Sequence, residues 1–303
     1  MKNLEELIDE AKGIISMHQP YNGTVWSLFS GGKDSLVATH IASQMTGFAG
    51  VVHIRTLTGP ISVEHSESAE ARAQELGWRV LSFEPTQTYS MMVKEWGFPG
   101  PPAHSWMYRH LKERQIAKAV RAIKRETKKF AFVTGKRRFE SQRRMRTTKE
   151  ANKVSGRWWI NPLANWKTEH VLAYMDNYDL SANLSKSQEC LCGAFAHPGE
   201  RDEIMAQSEG HKAWILGLEK IVVASREQQV LEYELGMRDK KDVIDKSRCR
   251  RGHGIGSSSE QPTDDDGNTI CSTCDGRLAA DGSGNVGIDP DAEMIAIRQH
   301  KTT

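Results

Sequence analysis

Trp26-Ser27-Leu28-Phe29-Ser30-Gly31-Gly32-Lys33-Asp34-Ser35 is the stretch from which the fold of this chain can be read. The apolar run Val25 to Phe29 has the length and character of a buried strand, and Leu36-Val37-Ala38-Thr39-His40-Ile41 opens a helical pattern directly after the glycines. A strand, a tight polar turn and a helix N-terminus in that order form an anion cradle. Glycines let backbone N–H groups approach a phosphate, the first helical turn adds unpaired N–H groups and a positive dipole end, and Ser30, Lys33 and Ser35 add donors. Two better-known phosphate loops are excluded by spacing. A Walker loop needs Gly where Ser27 stands and Ser or Thr where Asp34 stands, and no Gly-x-Gly-x-x-Gly is present here.

Working outward, strands are expected at Phe48–Ile54, Trp78–Phe83, Phe130–Val133 and Trp158–Asn161. Helices are expected from the N-terminus through Ile15, at Ser62–Leu76 with Gly77 closing it, at Thr88–Trp96, and as one long helix over Ser105–Lys129. Gly97-Phe98-Pro99-Gly100-Pro101-Pro102 breaks the chain between the last two. Alternation of near-continuous apolar strands with helices implies a parallel α/β sheet buried on both faces. Three further helices are expected at Arg201–Ser208, His211–Leu218 and Arg226–Leu235. Beyond Arg248 the chain becomes rich in Gly, Ser and Asp, a composition that packs no core without a metal or a neighbouring domain. The expected domains are therefore 1–175 for the nucleotide-binding α/β part, 176–247 for a helical, cysteine-containing extension, and 248–303 for a tail, with a boundary near Ser247.

Across 303 residues the net charge is only +2, but between His104 and Arg157 there are 18 Lys or Arg against four acids, a local charge of +14. A basic block in an otherwise acidic chain fits a polyanion, from a nucleotide triphosphate up to a nucleic acid; a merely solvated helix face is equally open. No apolar run approaches the ~20 residues of a membrane span. The N-terminus lacks a signal-peptide core, so a cytoplasmic protein without membrane contact is expected, with a homodimer among its assemblies. All five cysteines, Cys190, Cys192, Cys249, Cys271 and Cys274, fall in the C-terminal part, and an odd count in a cytoplasmic protein favours metal ligation or thiol chemistry over disulfides.

Ser-Gly-Gly-Lys-Asp-Ser resembles the loop of the N-type ATP pyrophosphatases and of the PAPS-reductase-like family. Three other stretches carry the likeness. Gly135-Lys136-Arg137-Arg138-Phe139-Glu140-Ser141-Gln142-Arg143-Arg144 resembles the family's Gly-x-Arg-x-x-Glu-Ser-x-x-Arg element, which closes over the nucleotide. Pro162-Leu163-Ala164-Asn165-Trp166-Lys167-Thr168-Glu169-His170-Val171 is similar to its Pro-Leu-x-x-Trp-Thr-x-x-Asp-Val segment, with Thr168 as the expected helix cap and His170 where an acid is usual. Leu57-Thr58-Gly59-Pro60-Ile61-Ser62-Val63-Glu64 is similar to its Asp-Thr-Gly-x-x-x-x-Glu turn, with Leu57 replacing the Asp.

The resemblance implies a Rossmann-like adenine nucleotide alpha-hydrolase fold, with a C-terminal helical segment and a small Cys-containing tail. It implies an adenine nucleotide held by Ser30, Gly31, Gly32, Lys33, Asp34, Ser35, His53, Gly135, Arg137 and Arg143, and catalytic roles for Lys33, Asp34 and Arg138. The intact Gly-Gly-Lys-Asp, with no Glu-Cys-Gly-Leu-His in the sequence, favours ATP over a sulfated nucleotide. The expected reaction is attack on the α-phosphorus of ATP, release of pyrophosphate with Mg²⁺, and adenylylation of an acceptor, as in the activating step of sulfur transfer. Asp34 would bind the Mg²⁺ or fix the loop. The alternatives are a PAPS or APS reductase, and a nucleotide-binding accessory protein of a phage or CRISPR-type system that docks on nucleic acid through block 104–157. For the cysteines, a 4Fe–4S cluster on Cys192, Cys249, Cys271 and Cys274, leaving Cys190 as a sulfur carrier, competes with a Zn²⁺ on Cys249, His253, Cys271 and Cys274.

Overall fold

The computed structural model describes residues 3–99, 104–140, 142–180, 188, 190–191 and 200–237. The metal-ligand candidates Cys192, Cys249, His253, Cys271 and Cys274, and the boundary near Ser247, lie outside these residues. In chain order the elements are α1 (Leu4–His18), β1 (Thr24–Leu28), α2 (Lys33–Ser43), β2 (Phe48–Ile54), α3 (Pro60–Glu75), β3 (Val80–Phe83), α4 (Tyr89–Trp96), α5 (His104–Tyr108), a π turn (Arg109–Glu113), α6 (Arg114–Glu126), β4 (Phe130–Val133), a 3₁₀ turn (Arg138–Glu140), α7 (Gln142–Thr147), β5 (Ala151–Val154), β6 (Arg157–Ile160), α8 (Thr168–Asn177), α9 (Glu200–Gln207) and α10 (Glu209–Glu234). The chain divides into two compact units, Met1–Thr86 with Leu111–Leu191, and Gln87–His110 with Cys192–Thr303.

In the first unit a six-stranded sheet runs β3-β2-β1-β4-β6-β5. All pairs are parallel except β5 with β6. The inner strands β1, β2 and β4 are mostly apolar because both of their faces are covered. Val25, Val51, Ala131 and Val133 point into a core built with α1, α2, α3 and α8, whereas Trp26, Val52, Phe130 and Phe132 point into a second core closed by Ala119 and Ile123 of α6. This is the period-two alternation of a pleated strand, and each such large side chain stabilises the fold by roughly 1.5–3 kcal/mol. α1 starts at a reciprocal cap in which Asn3 accepts from the Glu6 N–H and Glu6 accepts from the Asn3 N–H.

β1 is central: β2 and β3 lie to one side, β4 and β6 to the other. The strand order therefore reverses between β1 and β4, and the connections leaving their C-terminal ends diverge to open a crevice there. Ser30–Ser35 follows β1 and Gly135–Arg144 follows β4, so the topology brings the two most specific motifs to one place.

Three expectations change. The long helix Ser105–Lys129 is interrupted by the π turn and ends at Glu126, where Thr127 becomes extended. Its buried row Leu111, Gln115, Ala119 and Ile123 recurs every four residues. A helix of 3.6 residues per turn would carry that row round by about 40° per step, and a wider turn takes up part of the drift. Antiparallel β5 is an addition to the expected parallel sheet; it joins β6 through Ser155 and Gly156, at φ of 49° and 79°. Left-handed backbone at both central residues matches the twist of a two-residue hairpin. In the second unit the helices expected at His211–Leu218 and Arg226–Leu235 form the single 26-residue α10, because no Gly or Pro separates them. Ser208 caps α10 by accepting from the His211 N–H, and Trp214 packs on Tyr89 of α4 with ring centroids 5.9 Å apart. Among the described residues no helix is long and apolar enough to cross a membrane.

The hairpin supplies a test of the edge strand. A Cβ at Gly156 meets no atom within 4 Å, so its substitution acts through the backbone alone. Gly156→Ala is expected to lower stability by about 1 kcal/mol, read as a shifted urea midpoint with unchanged slope.

Candidate functional site

Everything at the crevice is built in the first unit, beginning with the turn after β1. Gly31 sits at φ +75°, and a Cβ there would lie 2.6 Å from Ala69 Cβ on α3. Both constraints require glycine. Ser30 O accepts from His65 Nε2 of α3 at 2.7 Å, and Ser30 N–H donates to Ser35 Oγ at 3.2 Å. Ser35 Oγ turns back onto Gly32 O at 2.8 Å. Behind the loop, Thr39 Oγ1 donates to Ser35 O and contacts Ser27 Oγ, each at 2.6 Å, fastening the start of α2 to β1. α2 begins at Gly32 with no side-chain cap. Its leading N–H groups thus face the crevice with the positive end of the dipole behind them, the arrangement an anion needs.

The other wall follows β4. A Cβ on Gly135 would lie 2.5–2.6 Å from the backbone of Asp34 and Ser35, so main chain packs on main chain at this point. Next to it Arg137 turns inward. Its Nε donates to Asp34 Oδ1 at 2.9 Å and its Nη2 to Asp34 Oδ2 at 3.1 Å, while Nη1 reaches Trp166 O at 3.3 Å and Thr168 Oγ1 at 3.4 Å. The guanidinium side chain is 3% exposed and the carboxylate side chain 15%. A planar fork on a carboxylate, with the third guanidinium nitrogen also bonded, is the form in which such a buried pair is stable.

Two of the residues expected at the nucleotide have protein partners in this structure. Arg137, expected to hold the nucleotide, makes four of the five hydrogen bonds open to a guanidinium with Asp34, Trp166 and Thr168. Arg138, expected to be catalytic, donates to Thr148 O at 2.9 Å and to Asn165 Oδ1 at 2.6 Å, bracing the following loops. Of the two roles open to Asp34, fixing the loop is the one the geometry displays. Lys33 keeps its Nζ 4.0 Å from Asp34 Oδ2, beyond hydrogen-bond range, so its donors can turn to an anion. His53 is fully buried on β2 with Nδ1 2.8 Å from Phe29 O, placing it under the loop. Arg143 lies on α7, and its side chain is not among those described.

Glu140 accepts from the Arg137 N–H at 2.9 Å and pairs with Arg144. Thr168 does not cap the next helix. Lys167 is the N-cap, and its N–H donates to His170 Nδ1 at 3.2 Å, so His170 does the capping work of the acid usual at its position. Leu57, which replaces the family Asp, is held at φ 54°. That left-handed conformation is one Asp tolerates better than Leu, and it costs about 1–2 kcal/mol. Beside it, Thr58 Oγ1 accepts from the Leu191 N–H at 2.7 Å, which fastens the residue after half-buried Cys190 to this rim. His65 is not legible in the sequence, since one isolated His on a helix carries no spacing signal, whereas Thr58 belongs to the turn whose likeness to the family is already noted.

A family model for the phosphoadenosine phosphosulfate reductase domain matches residues 24–184. Among solved structures, the phosphate complex of phosphoadenylyl-sulfate (PAPS) reductase from Candida auris is similar at 18% identity and a TM-score of 0.42, covering 59% of this chain and 87% of that one. No curated protein matches.

The Arg137 assignment is tested by a double-mutant cycle. Arg137→Ala and Asp34→Ala are each expected to cost about 3 kcal/mol or more in urea unfolding, and the double variant clearly less than the sum. Unchanged stability in Arg137→Ala combined with lost nucleotide binding would return Arg137 to the ligand.

Proposed function

Since this chain belongs to the phosphoadenosine phosphosulfate reductase domain family, we propose that it is an enzyme acting on an adenine nucleotide whose phosphates rest in the Ser30–Ser35 loop. The observation that carries this is the uncapped start of α2 behind Gly31 and Gly32, at the reversal of strand order and braced from behind by Arg137 on Asp34.

The substrate is ATP in the first reading. An acceptor oxygen attacks the α-phosphorus, the bond from that phosphorus to the bridging oxygen breaks, and the acceptor leaves adenylylated while pyrophosphate remains in the loop. The N–H groups of the loop and of the first turn of α2, with Lys33, stabilise the charge that develops on the leaving group. They are fixed before substrate arrives, so little reorganisation accompanies reaction. Mg²⁺, when bound, supplies charge neutralisation on the phosphates. Asp34 is the single carboxylate of the loop and gives both oxygens to Arg137, so the loop itself offers the ion no free carboxylate. The presence of the whole Ser-Gly-Gly-Lys-Asp-Ser supports this reading, and sulfur transfer is the chemistry such an activation would serve.

A second reading is favoured by the family match itself: reduction of PAPS or APS. There one thiolate attacks the sulfur, the bond from sulfur to the phosphate oxygen breaks and the adenosine phosphate leaves; the second thiol then displaces sulfite as the two sulfurs close to a disulfide. The same cradle would hold the nucleotide phosphates.

Purified full-length protein given ATP is expected to release pyrophosphate, and Lys33→Ala to slow this by about 100-fold with an unchanged melting temperature. Sulfite release from PAPS with a dithiol, without pyrophosphate from ATP, would establish the second reading instead. Parent-like turnover of either substrate by Lys33→Ala would remove the loop from the mechanism.

A further inference from the structure

The basic block is divided by the fold. Arg137 and Arg138 turn inward, but the cations of α6 point outward. Arg114, Arg121, Lys124 and Arg125 are exposed on this helix, Lys118 is half-exposed, and Lys128 is exposed just beyond its end. Arg114, Lys118, Arg121 and Arg125 follow an i, i+4, i+7, i+11 course and so share one stripe, opposite the Ala119 and Ile123 that enter the core.

No acid of α6 stands in the stripe. Glu126 lies off it and is paired through both oxygens with Arg79 at 2.6 Å. Lys118 Nζ donates to the backbone oxygen of Glu84 at 2.9 Å and to Thr86 Oγ1 at 3.4 Å, which orients its charge without neutralising it. Among the described residues no ion pair engages Arg114, Arg121, Lys124 or Arg125. A face kept only for solubility interleaves both signs. Here Arg114 with Lys118, and Arg121 with Arg125, are like charges four residues apart, which oppose the helix they stand on. Such a face is complete only against an anionic partner.

We infer that this face of α6 is a docking surface for the phosphate backbone of duplex nucleic acid. The eleven-residue interval from Arg114 to Arg125 rises about 16 Å along the helix, and a duplex carries one phosphate charge per about 1.7 Å of its axis with both strands counted, so each of the four cations has a phosphate within reach. The stripe is continuous in sign over that length, as backbone tracking requires. Single strands are held by stacking bases on aromatic rings, and no large hydrophobic side chain of α6 is exposed. The surface therefore contacts phosphates and reads no base. It is separate from the Ser30–Ser35 loop, which binds one nucleotide, and it does not depend on which reaction that loop supports.

The test is fluorescence anisotropy of a labelled mixed-sequence DNA duplex of about 20 bp, titrated with the full chain. With about four phosphates neutralised, affinity is expected to fall about 100-fold between about 50 and about 200 mM salt. Arg121→Glu with Arg125→Glu is expected to weaken binding at least about tenfold and to flatten the salt slope by about two, while circular dichroism and nucleotide turnover stay as in the parent. Lys149→Glu with Lys153→Glu, on exposed positions at the β5 edge, is expected to leave duplex binding within about twofold. The inference is overturned by absence of duplex binding at low salt, by equal losses in the two charge-reversed pairs, by displacement of the duplex by ATP, or by tighter binding of the matching single strand.

Discussion

Asp34 and Arg137 meet across the crevice, and the functional half of the molecule is arranged around their contact. The carboxylate belongs to the first turn of α2 and the guanidinium to the segment after β4, and a two-pronged hydrogen bond locks one to the other. Through Nη1 the same guanidinium reaches Trp166 and Thr168, so it also sets where α8 begins. One buried cation thereby fixes three chain segments that share no sequence neighbourhood. A buried charge is tolerated only when it is paired, and each nitrogen of this one donates to the protein.

Sheet topology explains why those segments converge. With β1 central and the order reversing toward β4, the exits of these strands are neighbours, and Gly135 lets their backbones touch. The cradle is thus an outcome of strand order as much as of its own residues. Family membership agrees with the architecture, since the matched residues 24–184 run from β1 past α8.

What could be read in advance was local. Ser30–Ser35 declares itself through glycine, lysine and position between an apolar run and a helix, and the buried strands through their composition. The partner of Asp34 lies 103 positions away, and nothing in residue type says that Arg137 faces inward rather than toward a ligand. For Arg138 the same ambiguity was decided by Thr148 and Asn165. Ser155-Gly156 did carry a signal for β5, because a two-residue turn with Gly is a hairpin mark, but the flanking residues Ala151–Val154 are only weakly strand-like. His170 shows the reverse case: an apparent departure from the family pattern that performs the usual capping role by different chemistry.

At Gly135 the backbone packs on that of Asp34 and Ser35 so closely that no side chain fits between the two loops at the base of the crevice. A cradle walled by main chain on main chain has few alternative shapes, so a phosphate entering it meets donors already in position and removes little conformational freedom from the protein. The same stiffness denies the loop any part as a gate. Opening it would mean parting the Asp34–Arg137 contact and lifting the strand exit after β4 together. Under the proposed function, substrate entry and product departure would then be timed elsewhere on the rim, with the loop as the anvil rather than the hinge.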